Sequence, residues 1–182
     1  MLLKRWITLS ALLLTSGLGA RCFADTITYT AVLLGSNETP PNASTATGSA
    51  LLTLTGNILT VHEVFSGLIG GVAAAAHIHC CAAPGVAAGV VVPFSAFPAA
   101  TSGTFDATFD LSTFAFGGGL TETTFLAGLN SGLAYVNIHD AVFPGGEIRG
   151  QLSVVTPEPT TLLLLGTGVV GLAGAMRRRL QV

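Results

Sequence analysis

Hydrophobic and polar residues alternate with a period of two through most of the middle of the chain. Thr104 to Leu111 is the plainest case. Phe105, Ala107, Phe109 and Leu111 face one way, and Thr104, Asp106, Thr108 and Asp110 the other. That period belongs to a strand, whose successive side chains point to opposite faces. Thr26 to Leu34 sets Ile27, Tyr29 and Ala31 against threonines. Ala50 to Thr55 and Ile58 to Phe65 flank Gly56-Asn57, a two-residue turn that predicts a hairpin. Val72 to His79, Val90 to Pro93, Leu133 to His139 and Glu147 to Val155 predict further strands. Ser36 to Gly48, Ser66 to Gly71 and Cys80 to Gly89 read as loops rich in Gly, Pro and small residues. Leu120 to Leu129 predicts one short helix, ended by Asn130-Ser131-Gly132. Short strands at this spacing predict an all-β fold, a single antiparallel β-sandwich or barrel.

The alternation fails at both ends. Lys4 and Arg5 precede an apolar run, Ile7 to Gly19, and Ala24 follows as a small residue. This is the layout of a secretory signal, with cleavage after Ala24 and a mature start at Asp25. Arg21 before Cys22 does not suit a lipoprotein cysteine. At the other end Pro157-Glu158-Pro159 stops any regular element. Thr160 to Met176 then carries no charge, and Arg177, Arg178 and Arg179 follow. About 17 apolar residues is the short limit for a membrane-spanning helix. The arginine cluster would hold that end in the cytoplasm. The chain thus divides into a signal peptide, 1–24, a β domain, 25–156, and a tail with a transmembrane helix, 157–182.

Removing the ends changes the charge. The full chain has a net charge of −2. Between Asp25 and Thr156 only Arg149 is basic, against eight acids, which leaves −7. An acidic domain without clustered Lys and Arg excludes nucleic acid as a partner. Three cysteines occur, and Cys22 leaves with the signal. Cys80 and Cys81 are adjacent. They could form a vicinal disulfide, bind metal or pair between chains. No framework of disulfide staples exists, so apolar burial must hold the fold.

Three histidines carry the candidate chemistry. His77 and His79 are two apart, so a strand projects both from one face, about 7 Å apart. His139 ends the strand pattern Tyr135-Val136-Asn137-Ile138-His139. If the two strands are neighbours, three imidazoles converge on a site suited to copper or zinc. Asp140 is placed to hold a histidine tautomer. His62, on the hairpin, reads as solvent-facing or structural. Glu147 and Arg149 lie two apart after the turn Pro144-Gly145-Gly146. They predict an ion pair and a hydrogen-bond hub for loop carbonyls.

The tail resembles the PEP-CTERM sorting signal of exported bacterial proteins, which has the same three parts in the same order: Pro157-Glu158-Pro159, the Gly-rich apolar stretch and Arg177 to Arg179. The resemblance implies recognition by exosortase and cleavage near Pro-Glu-Pro. It also implies transient anchoring in the inner membrane of a Gram-negative bacterium, then delivery to the cell surface, outer membrane or extracellular matrix. Ala75-Ala76-His77-Ile78-His79, Tyr135 to His139 and Gly145 to Leu152 together resemble the CHRD domain, over Ile27 to about Val154. Family members often have Gly-Pro after His-x-His, where this chain has Cys80-Cys81. That resemblance implies a β-rich extracellular domain without an established enzyme activity. The order of these motifs is also similar to copper/zinc superoxide dismutase, with His77, His79 and His139 matching copper ligands and Arg149 the anion-guiding arginine. No histidine lies between His79 and Thr104, so the bridging and zinc-loop ligands have no counterpart. The likeness implies a superoxide-dismutase-like sandwich and a remnant copper site, not dismutase activity; an immunoglobulin-like sandwich is the other form. The expected protein is therefore a non-enzymatic surface or matrix protein with a structural or binding role. Its expected partners are exosortase, the membrane and extracellular polysaccharide or surface proteins. The alternative is a copper- or zinc-binding exported protein.

Overall fold

The computed structural model describes residues 25–155, 165–171 and 176–177. The expected signal peptide, Pro157-Glu158-Pro159, Arg178 and Arg179 lie outside the described residues. Residues 165–171 and 176–177 are helical and exposed, Arg177 among them. Among the described residues no helix is long and apolar enough to cross a membrane.

The domain is antiparallel β. Its strands are β1 (Thr26–Leu34), β2 (Thr47–Thr55), β3 (Ile58–Ser66), β4 (Ala75–Cys80), β5 (Gly89–Pro93), β6 (Gly103–Asp110), β7 (Tyr135–His139), β8 (Ile148–Gln151) and β9 (Ser153–Val154). They form one curled sheet in the order β5-β4-β7-β8-β1-β2-β3-β6, with β9 also on β1. The predicted hairpin is present, and β2 pairs with β3 from Thr55↔Ile58 back to Thr47↔Ser66. Gly56 takes the left-handed conformation its turn requires, φ 59°.

The curl brings two halves of the sheet onto one core. The halves meet where β1 pairs with β8 at Leu34↔Arg149 and with β9 at Tyr29↔Val154 and Thr30↔Ser153. The strands come close there because residue 150 is glycine; a Cβ would stand 2.7 Å from the Val32 carbonyl oxygen. Leu33, Leu52, Leu59 and Val61 from one half pack with Ile78, Val92, Val136, Ile138 and Ile148 from the other. Aromatic rings fill the gap between the outer strands. Phe94, after β5, lies 4.9 Å from Phe105 on β6, and Phe97 lies 5.1 Å from Phe65 on β3. The expected sandwich is thus made by one continuous sheet.

Several boundaries differ from the sequence expectation: β2 begins at Thr47 rather than Ala50 and β7 at Tyr135 rather than Leu133, and three further differences have a visible cause. β4 begins at Ala75 rather than Val72, because the amides of Ala73 and Ala74 bond instead to Ala100 and His139. Glu147 to Val155 is two strands, not one, because the Leu152 amide donates to Ala134 between the ladders of β8 and β9. Helix α1 (Glu122–Asn130) starts two residues late, where the Thr121 hydroxyl caps it by accepting from the Thr124 amide at 3.2 Å. Cys80 and Cys81 are joined as a disulfide against Gly128 of this helix.

Candidate metal centre

The period of two gives β4, β7 and β8 unlike faces. Ala76, Ile78, Val136, Ile138 and Ile148 enter the core. On the opposite face His77 and His79 stand beside Asn137 and Tyr135, their cross-strand partners. Asn137 in turn lies opposite Arg149 on β8, and Tyr135 opposite Gln151. His139 continues this row two residues beyond Asn137. The face is polar yet mostly buried, since Asn137 is 2 % and Arg149 3 % exposed.

The three expected histidines do converge. One nitrogen from each of His77, His79 and His139 lies within 4.8 Å of the other two. Tetrahedral binding at about 2.0 Å per nitrogen needs these atoms about 3.3 Å apart. Rotations that close the group by roughly 1.5 Å would bring them into bonding positions. Loop carbonyls set two of the tautomers. His79 Nδ1 bonds the Ala88 carbonyl at 2.9 Å, and His139 Nδ1 bonds the Pro144 carbonyl at 3.0 Å. A nitrogen facing a carbonyl must carry its proton. Each Nε2 is then a lone pair. His79 Nε2 and His77 Nδ1 are buried and have no hydrogen-bond partner.

Electrostatics keep these imidazoles neutral. Burial, together with the neighbouring His139 and His79, lowers the pKa of His77 to about 4. Burial also lowers His79 and His139, against the pull of their carbonyl partners. Neutral imidazole is the metal-binding form. A carbonyl behind a histidine and lone pairs aimed inward is the arrangement that orients imidazoles on a metal.

A stack backs the cluster. The Tyr135 ring lies parallel to His79, 4.7 Å between centroids, and the Arg149 guanidinium carbon sits 3.3 Å from the centre of the Tyr135 ring. Arg149 also donates to the Val86 carbonyl at 3.0 Å and to the Thr39 hydroxyl at 3.3 Å. The expected ion pair with Glu147 is not formed. Glu147 precedes β8, and its carboxylate turns to the Ser44 hydroxyl at 2.6 Å and the Ile69 amide at 2.8 Å. The acid whose charge Arg149 meets is Glu38, from the loop after β1. Burial raises the Glu38 carboxyl to about 7, against the opposing pull of the Thr39 backbone, Arg149 and the Asn137 amide.

Asp140 does not hold a histidine either. Its Oδ1 accepts from the Val142 and Phe143 amides at 2.8 and 2.7 Å, which closes the loop that presents Pro144. His62 is exposed and pairs with Asp106 on β6 at 2.7 Å, away from the cluster. The sequence reading missed Asn137 and Glu38. Asn137 was open to inference, since it shares the period-two row of His139. Glu38 was not, because it reaches the site from about 100 residues away through an irregular loop.

This is an exported-type β domain with a histidine-lined polar face. A family model of the CHRD domain matches residues 29–152, more than half of the chain, and the protein belongs to that family. A model of the PEP-CTERM protein-sorting motif matches residues 155–179. The motif makes the chain an exosortase-sorted exported protein that associates with the membrane. Comparison with curated proteins gave no match, and comparison with solved structures gave none.

Proposed function

We propose that the protein works at the surface or in the extracellular matrix of a Gram-negative bacterium, and that its CHRD domain binds copper or zinc through His77, His79 and His139. One observation carries the reading: three neutral imidazoles converge, and two have their Nδ1 protons tied to backbone carbonyls. The role is structural or binding, with no catalysis. After Ala24 is passed, the signal peptide is removed, and the tail keeps the chain in the inner membrane until exosortase acts near Pro157-Glu158-Pro159. A second reading, binding of matrix polysaccharide, is favoured by an open cleft of about 430 Å³ lined by Asn37, Thr39, Pro41, Pro84, Arg149 and Gln151. Its amides, with Glu38 and Arg149, offer donors and acceptors to a hydroxyl-rich chain.

The test is a titration of residues 25–155, which contain the whole described core, with copper and with zinc. Native mass spectrometry should count one ion per chain, lost or weakened at least a hundredfold in His79→Ala and His139→Ala. Circular dichroism of the variants separates lost ligands from lost fold. Absence of binding at micromolar metal would sink the metal reading.

A further inference from the structure

The donor set at the histidine cluster is one oxygen richer than the sequence implied. His139 has its Nδ1 proton on the Pro144 carbonyl, so its Nε2 presents a lone pair. That lone pair faces the Asn137 side-chain oxygen at 3.0 Å. Two acceptors at this distance repel unless a proton or a cation lies beside both. A separation of 3.0 Å is also close to the roughly 3.3 Å between two donors on one tetrahedral ion. Turning the amide round would point its oxygen to the Glu38 side, because Glu38 Oε1 and the Asn137 amide nitrogen flank the same point beside Gly146. There is little room to move. Asn137 is 2 % exposed, and a Cβ added to Gly146 would stand 2.8 Å from its amide nitrogen. His77 is the cross-strand partner of Asn137, and His79 lies two residues along the same face.

We infer that Asn137 is the fourth protein ligand of a transition-metal ion, giving a site of three imidazole nitrogens and one amide oxygen, with Glu38 as the residue that positions the amide. This deepens the metal reading above and rests on it. A neutral oxygen donor beside three imidazoles suits Cu(II) or Zn(II) and leaves the site charge equal to that of the ion. The ion would lie between the facing lone pairs and remove their repulsion. Glu38 then acts through Asn137, by keeping the amide nitrogen outward and the oxygen on the metal.

The experiment labels asparagine with ¹³C at the side-chain carbonyl in the full-length chain, purified in detergent and loaded with one equivalent of Cu(II). Electron–nuclear double resonance should show imidazole ¹⁴N couplings together with a ¹³C coupling. The ¹³C coupling should vanish in Asn137→Leu, which keeps the volume of the side chain, while the ¹⁴N couplings remain and affinity falls about tenfold. Glu38→Gln should weaken the ¹³C coupling with the copper still bound. Imidazole couplings without any ¹³C coupling would overturn the inference and leave the three-histidine site standing. A ¹³C coupling that persists in Asn137→Leu would also overturn it, since another asparagine would be the source. If copper does not bind at all, both readings fall.

Discussion

Glu63 points the wrong way for a carboxylate. It falls on the inward phase of β3, with Leu59, Val61 and Phe65, and it is fully buried. Neither of its oxygens has a hydrogen-bond partner. Burial pushes its pKa up to about 8, so the folded protein holds it protonated at neutral pH. The folded pKa stands above the unfolded value of 4.5, so the stabilising contribution is full below that value and is lost as pH rises through 8. Glu63→Gln, which cannot ionise, is expected to flatten this loss. At pH 9 the variant should be more stable than the parent by about 2 kcal/mol, and the gap should narrow or reverse by pH 5. Urea unfolding at the two pH values measures it, and equal differences at both would refute the assignment. At this scale the histidines were legible because the two-residue spacing fixes which side chains share a face. Their tautomers were not legible. They depend on the Ala88 and Pro144 carbonyls, which loops without periodicity bring to the site.

Elements were legible where local pattern and tertiary pairing agree. The β2–β3 hairpin follows from Gly56-Asn57 between two alternating runs, and the end of α1 from the Asn130-Ser131-Gly132 stop, while its start at the Thr121 cap was not foreseen. The break between β8 and β9 was hidden, because Leu152 continues the hydrophobic pattern while its amide leaves the ladder for Ala134. Packing between elements can also reverse a local rule. Gly→Ala within a helix normally stabilises by roughly 0.5–1 kcal/mol. Gly128 of α1 is buried, however, and a Cβ there would collide with the sulfurs of both Cys80 and Cys81. Gly128→Ala is therefore expected to destabilise the domain by about 1–3 kcal/mol through overpacking. The expected readout is a lower thermal midpoint. An unchanged or raised midpoint would mean that α1 does not press on the disulfide.

Among the described residues the protein has two interiors. One is the apolar core between the halves of the curled sheet. The other is the polar face of β4, β7 and β8, roofed by the loops that carry Glu38, Ala88 and Pro144. Alternation in sequence foretold an all-β domain, because it marks which faces are buried. It did not foretell the closure, which runs through the pairing of β1 with both β8 and β9 and through a glycine that lets β8 approach β1. The sorting motif explains how the chain reaches the outside. The second interior is what the domain brings there. A crystal of the domain soaked in copper or zinc and measured at that metal's absorption edge tests this most directly. The account predicts one strong anomalous peak about 2 Å from nitrogens of His77, His79 and His139. A peak elsewhere, or none at this cluster with the three imidazoles undisturbed, would contradict it.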